Sequence, residues 1–221
     1  DAMTRDSTGA LQALVEAFAQ EQDVQARHAL VSEILAVWAG QQNTPVDGRG
    51  PGINGRHLAI LETFWGQAAL QAQPTGQYAE LLQDVYAGLE RSVYTQLMVD
   101  THADAVFNMT SFTQVNGVWS GDFSEAAAYF ASRFAAGESP VSQLADFMDV
   151  IAGINPYTDT LYRQFVSALE DEAQGLPRDA RRAMQEVIRS GDDHIIGTAQ
   201  GESLAGYAGD DRIDALGQLG A

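Results

Sequence analysis

The sequence predicts a mainly α-helical protein with one small β-hairpin, followed by a short parallel β-roll. Three observations support this fold class. Apolar residues recur at helical spacing through most of residues 1–188. The pair Asn116-Gly117 lies between two short apolar runs, and Asn-Gly is the strongest two-residue hairpin signal. Residues 189–221 repeat with a period of nine, which is typical of a parallel β-roll.

Three helices are predicted before residue 66. The first follows Ser7 or Thr8, either of which can cap it, and the second runs from about residue 24 to the glycine at position 40. The third begins after Asn54. Residues 47–52, in the loop between them, read Asp-Gly-Arg-Gly-Pro-Gly. An ion- or phosphate-cradling role is one interpretation, but the P-loop ending is absent and there is a single carboxylate, so we favour a turn-rich connector.

A long central helix is predicted at about residues 77–104, because apolar residues keep helical spacing there for several turns. We expect this stripe to be core: Tyr78, Leu81, Leu82, Val85, Tyr86, Leu89, Val93, Leu97 and Met98. Residues 105–123 then change to the hairpin pattern. Further helices are predicted at about residues 124–136, from Ser139 with Pro140, from Asn155 with Pro156, and at about residues 178–189.

The C-terminal residues align in nines from Ile188. The aligned columns at positions four, six and eight read Gly191, Gln200 and Gly209; Asp193, Glu202 and Asp211; and Ile195, Leu204 and Ile213. Glycine allows positive φ in the turns, and carboxylates supply the hard oxygen that Ca²⁺ prefers. Two repeats make one coil, so turns two repeats apart lie on the same edge. This pairs Asp193 with Asp211, whereas Glu202 would meet Gly220 and provide half of a second site.

Residues 190–214 resemble the RTX, or haemolysin-type, calcium-binding repeats of secreted bacterial proteins. They depart from the family pattern at Gln200, where a turn glycine is usual, and at Glu202, where aspartate is usual. The resemblance implies a Ca²⁺ site whose predicted ligand residues are Gly191, Asp193, Glu202, Gly209 and Asp211. Residues 34–40, 49–50 and 55–66 more loosely resemble a segment upstream of the repeats in large haemolysin-type proteins, which implies context and no catalytic role.

Together these patterns predict an α-helical domain at residues 1–188 and the truncated start of an RTX β-roll at residues 189–221. The expected function is a calcium-binding structural module of a secreted bacterial protein exported by type I secretion. Such proteins carry their export signal at the far C-terminus. The chain begins at Asp1 without an initiator methionine and its last repeat is incomplete, so we expect it to be a piece of a longer protein.

Composition narrows the possible partners. The 221 residues are 45% hydrophobic, enough for a sizeable core, and the net charge is −18. A chain this acidic cannot assemble the basic patch that nucleic acids or anionic membrane surfaces need. Cysteine is absent, so disulfides and thiolate chemistry are excluded. Lysine is absent as well, and all twelve basic residues are arginine. No apolar run is long enough for a transmembrane segment.

Two other functions stay open. The helical domain could bind a protein or a cell-surface glycan, which an exposed aromatic patch with Trp65, Trp119 or Tyr157 would favour. An enzyme is the weaker alternative, and the chain is predicted not to be one, because the zinc-peptidase and serine-hydrolase motifs are absent. An enzymatic site would show convergent polar groups around His57 or His102. His194, at the seventh position of its repeat, could be an adventitious metal ligand, but we favour an outward-facing strand residue.

Overall fold

Helices dominate the residues that the computed structural model describes, which are 9–50, 52–66, 73–154, 159–190, 194–196 and 212–214. Within these residues there are nine helices, one antiparallel hairpin and one short parallel strand pair. The mainly α-helical class with a single small hairpin is thus confirmed. None of the described helices has the length and apolar character needed to cross a membrane.

The elements follow in this order: α1 (Ala10–Gln20), α2 (Val24–Ala39), α3 (Gly55–Phe64), α4 (Gln77–Thr101), α5 (Asp104–Phe107), β1 (Ser111–Val115), β2 (Val118–Asp122), α6 (Ser124–Ala135), α7 (Val141–Ile154), α8 (Thr160–Gln174), α9 (Arg178–Ser190), β3 (His194–Ile196) and β4 (Arg212–Asp214). The chain divides into two compact units, Asp1–Leu97 and Met98–Ala221. This division does not test the predicted boundary between the helical domain and the repeats at residue 188, which stays a prediction.

In the first unit, side-chain caps and a glycine set the helix ends. The Asp23 carboxylate accepts a hydrogen bond from the Ala26 amide at 2.8 Å and begins α2. Gly40 ends the same helix in the left-handed region, with φ 69°. The Asn54 side chain caps α3 by accepting from the Arg56 and His57 amides. The predicted start and stop of α2 and the predicted start of α3 are therefore confirmed.

The predicted connector before α3 has a structural role that the sequence pattern did not show. Arg49 reaches from this loop to Glu62 and donates two hydrogen bonds to its carboxylate, at 2.6 and 3.2 Å. Glu62 is only 2% exposed, so the pair lies largely out of water. Gly55 packs so tightly that an added Cβ would lie 2.8 Å from the Pro45 carbonyl oxygen. The loop thus packs against the start of α3 and pairs with the buried carboxylate of that helix.

The second unit is organised around the hairpin and a phenylalanine core. Asn116 and Gly117 have φ of 53° and 82°, as a two-residue hairpin turn requires, and the predicted hairpin is confirmed. The Gln164 side chain on α8 accepts from the Gly121 amide at 2.8 Å and donates to the Ser120 hydroxyl at 3.2 Å. These bonds attach β2 to α8.

The long helix α4 ends earlier and packs differently than the apolar stripe predicts. It stops at Thr101, and a separate short helix, α5, begins at Asp104. Leu82, Tyr86 and Met98 are buried, but Tyr78, Leu81 and Val85 are exposed. The apolar stripe is wider than the buried face, because neighbouring helices cover only one side of a helix.

Candidate functional site

Four of the five residues predicted to bind calcium lie just before the two strands that the structure places side by side, and Glu202 lies between those strands in the chain. Gly191, Asp193, Glu202, Gly209 and Asp211 themselves are outside the described residues. Their strands, β3 and β4, pair in parallel. No β-roll is described beyond this pair, so the roll stays a prediction.

The register of β3 and β4 matches the nine-residue period. His194 is opposite Arg212, Ile195 is opposite Ile213, and Ile196 is opposite Asp214. Each residue therefore lies opposite the residue two repeats later in the chain, at the same position of its repeat. Equivalent positions pair in this way when two repeats complete one coil of a parallel roll.

A second group of chemically active side chains converges in the first unit, around His57. The imidazole of His57, on α3, stacks on the Tyr86 ring of α4, with ring centroids 3.6 Å apart and planes 7° from parallel. From α2, the Ser32 hydroxyl donates a hydrogen bond to the Glu90 carboxylate, one turn beyond Tyr86 on α4. We call Ser32, His57, Tyr86 and Glu90 the His57 cluster.

Burial shifts the proton affinities of this cluster. Loss of water lowers the pKa of His57, an effect that Glu90 opposes and Arg56 reinforces. Burial, together with the negative charge of Glu90, raises the pKa of Tyr86 to about 12. At neutral pH the two stacked rings are therefore both uncharged, and each keeps this form beyond its ordinary titration range.

The geometry of the His57 cluster does not form a nucleophile–base pair. A serine nucleophile needs its hydroxyl directed at the imidazole, whereas the Ser32 hydroxyl bonds to Glu90. Within the described part of the chain, no group of three or more His, Asp or Glu side chains could hold a metal ion. The cluster instead joins three helices through a ring stack and a charge-assisted hydrogen bond.

Of the other histidines, His28 stacks on a tyrosine as His57 does, whereas His102 and His194 lie in different surroundings in the chain. His28 also stacks on a tyrosine of α4, Tyr94, with centroids 4.2 Å apart. His102 is half-buried just after the end of α4 and belongs to no metal-binding group among the described residues. His194 lies on β3, paired through its backbone with Arg212.

Aromatic side chains are exposed at the ends of α2 and α3. Trp38 and Trp65 are each 47% exposed, and Phe64 packs edge-on against Trp38 with centroids 5.1 Å apart. Trp119, on the hairpin, is 40% exposed. Tyr157, the third aromatic residue singled out from the sequence, is outside the described residues. We refer to Trp38, Phe64 and Trp65 as the aromatic surface.

Sequence reasoning singled out His57, Trp65 and Trp119 but missed the partners of His57. Ser32 on α2, His57 on α3 and the Tyr86–Glu90 pair on α4 are separated in the chain and meet only through the packing of three helices. The helical spacing of Tyr86 and Glu90 was the one available signal. Comparison of the chain with protein-family models, with curated proteins and with solved structures gave no match.

Proposed function

We propose that this chain is a calcium-binding structural module of a secreted bacterial protein, in which Ca²⁺ orders the Gly/Asp turns of residues 189–221. The observation that carries the proposal is the register of β3 and β4. A parallel pair offset by two nine-residue repeats supports the interpretation of these residues as a coil.

The proposed ion site follows from extending that register by one residue. Asp193 precedes His194, and Asp211 precedes Arg212, so the extended register makes the two aspartates neighbours. Adjacent strands are about 4.8 Å apart, a distance at which two carboxylates repel each other. A Ca²⁺ ion relieves this repulsion and accepts further oxygen ligands from the turn carbonyls at Gly191 and Gly209.

Calcium then controls whether the repeats are ordered. Extracellular calcium modules bind with dissociation constants of about 10⁻⁴–10⁻³ M, so they are empty in a calcium-poor cytoplasm. Because the ion binds only the ordered state, it stabilises that state by about 2.7 kcal/mol at a hundredfold excess over the dissociation constant. This dependence suits a protein that is exported unfolded and folds outside the cell.

The first test is a calcium titration followed by far-UV circular dichroism and thermal unfolding. We expect a saturable gain in stability with Ca²⁺ and none with Mg²⁺. The double variant Asp193→Asn, Asp211→Asn should lose this response. A matched control, Asp47→Asn with Asp84→Asn, removes two exposed carboxylates from the helical region and should keep it.

A second test examines the register directly. The chain has no cysteine, so pyrene labels attach only where cysteine is introduced. Labels at His194→Cys and Arg212→Cys should give excimer fluorescence that rises with Ca²⁺. Labels at His194→Cys and Ser203→Cys, one repeat apart, should not, because those positions lie on opposite sides of a coil. Equal excimer signals from both pairs, or no calcium response in either test, would contradict the proposal.

A second candidate function is binding of a protein or cell-surface glycan by the helical region, and the exposure of the aromatic surface favours it. Large exposed aromatic groups mark interaction sites more often than scattered apolar residues do. The test is binding to a glycan array and to cell-surface extracts, compared between the native chain and Trp38→Ala with Trp65→Ala. We assign no enzymatic activity, since Ser32 is not directed at His57.

A further inference from the structure

The hairpin has two outer edges, and their backbone groups differ in hydrogen bonding. On β2, the Gln164 side chain accepts a hydrogen bond from the outward-facing Gly121 amide. On β1, no described strand pairs with the outer backbone groups, since β1 and β2 form a two-stranded sheet. An unpaired strand edge is a template for another strand.

The register identifies which groups of β1 face outward. Val115 and Val118 flank the two-residue turn, so they exchange both backbone hydrogen bonds. The pairs alternate along the hairpin, and Thr113 therefore bonds to Ser120 in the same way. The N–H and C=O groups of the intervening residues, Phe112 and Gln114, consequently point away from β2.

The hairpin is also free of charge in a strongly acidic chain. The net charge is −18, yet no charged residue occurs between Asp104 and Asp122. Natural proteins usually protect strand edges with charged side chains, lysine above all, or with proline. This edge has none of them. Thr113 and Gln114 are both exposed, and Phe112 is half-buried against Phe107 and Phe123, with centroids 5.5 and 5.8 Å away.

We propose that two copies of this chain pair through β1, forming a four-stranded antiparallel sheet. The twofold axis passes beside Thr113, which lies opposite Thr113 of the second copy. Phe112 then exchanges both backbone hydrogen bonds with Gln114 of the second copy, and symmetry repeats this pair on the other side. A twofold contact of this kind is self-complementary.

The absence of charge along the edge fits a second copy of this chain, because no like charges are brought together in the paired segment. A basic partner is attracted to the acidic surface in general and gains nothing specific from an uncharged edge. Two copies of the uncharged strand approach each other with the charged residues Asp104 and Asp122 outside the paired segment. The remaining repulsion between the copies is long-range and is screened by salt.

Sedimentation equilibrium of the full chain in EDTA tests the proposal, since EDTA removes any association driven by calcium. We expect a species of twice the 23.7 kDa chain mass at high protein concentration. Dimerisation should strengthen as NaCl rises from about 0.1 M to about 1 M, because the Debye length falls from about 10 Å to about 3 Å. A single 23.7 kDa species throughout the micromolar to millimolar range would overturn the proposal.

Two variants locate the interface. Gln114→Pro removes an outward N–H without removing a hydrogen bond of the hairpin, and should abolish the dimer. Thr113→Lys places like charges opposite each other on the axis and should weaken dimerisation about tenfold. The control Val118→Lys makes the same charge change on β2, at a residue that is 60% exposed, and should not weaken it.

A charge-swap mixture separates interface loss from misfolding. Thr113→Lys mixed with Thr113→Glu puts opposite charges across the axis, and should restore dimerisation, as a mixed species, to at least the native level. Far-UV circular dichroism should be unchanged in each variant alone. A dimer that persists in both Gln114→Pro and Thr113→Lys would show that association uses another surface, and would overturn the proposal.

Discussion

The two units of the chain bury different types of side chain. Among the described residues, the buried charged side chains, Arg27 and Glu62, and the buried Thr95 all belong to Asp1–Leu97. In Met98–Ala221, the described core is apolar apart from the Tyr162 hydroxyl and is centred on phenylalanines: Phe123, Phe130, Phe134, Phe147 and Phe165. Polar groups in a core require fixed partners, whereas aromatic rings require only packing. The first unit should therefore respond to pH and to loss of a charge, and the second to loss of volume.

The largest effect should come from removing a ring from the second unit. Phe165 is fully buried and contacts Phe123 and Phe147, with centroids 5.4 and 5.0 Å away. Phe165→Ala should lower the free energy of unfolding by about 3–5 kcal/mol, as measured by urea denaturation. The control Phe64→Ala removes the same group from a 40% exposed site and should cost about 1 kcal/mol. Similar costs for both would refute the contrast between core and surface rings.

A slightly smaller effect should follow when the buried ion pair of the first unit is broken. Arg49→Met leaves the Glu62 carboxylate in a site with almost no water, and should cost about 3 kcal/mol. Arg49→Met with Glu62→Leu should recover most of this loss, because neither member of the pair is then left charged without the other. As a control, Arg163→Met breaks a pair with Asp159 in which the arginine side chain is 61% exposed, and should cost less than about 1 kcal/mol. If Arg49→Met costs no more than Arg163→Met, the polar core of the first unit is not stabilising.

Alkaline pH should weaken the first unit through Tyr86. Its pKa is about 12 in the folded chain because of burial and Glu90, against about 10 when unfolded. The resulting stabilisation is complete below pH 10 and is lost as the pH rises from 10 to 12. Lysine and cysteine are absent, so tyrosines dominate titration in this range.

Tyr86→Phe keeps the ring and removes the hydroxyl, and should flatten the alkaline loss of stability. In the native chain, phenolate absorbance should include a late-ionising contribution from Tyr86, which this variant lacks. Tyr78→Phe, at an exposed position, serves as the control and should keep the late step. If the late ionisation step disappeared in Tyr78→Phe and persisted in Tyr86→Phe, its assignment to Tyr86 would be wrong.

The smallest effect should be an acid response from His57. Burial holds the pKa of His57 below its usual 6.5, so the unfolded chain binds this proton more readily than the folded one. The stabilisation is complete above pH 6.5 and falls as the pH drops through the folded pKa. His57→Phe retains a ring stacked on Tyr86 and should remove this part of the acid response. An NMR titration midpoint for His57 at or above 6.5 would contradict the expected shift.

Local signals in the sequence predicted the elements well. Gly40 ended a helix, Asn54 began one, and Asn116-Gly117 formed the hairpin turn, because each depends on the conformational preference of a few adjacent residues. The predicted calcium ligands lie outside the described residues, so they stay a prediction. Within residues 189–221, the register in which β3 and β4 pair is the structural observation that bears on the predicted calcium site.

Packing between distant segments could not be predicted from the sequence. Arg49 looked like part of a connector, yet it forms a buried pair with Glu62. Tyr78 and Leu81 matched the apolar stripe of α4 but are exposed, because helical spacing identifies a stripe and not which side a neighbour covers. The meeting of His57 with Tyr86 depends in the same way on how α3 packs against α4.

The placement of the three tryptophans has a spectroscopic consequence. Trp38, Trp65 and Trp119 are the only tryptophans of the chain, and each is 40–47% exposed in the folded protein. Indole emission in the native state should already resemble that of a solvated ring, so unfolding will change its wavelength little. Intrinsic fluorescence will therefore report poorly on either core. It will instead respond to whatever approaches the helix ends near Trp38 and Trp65, or the hairpin at Trp119.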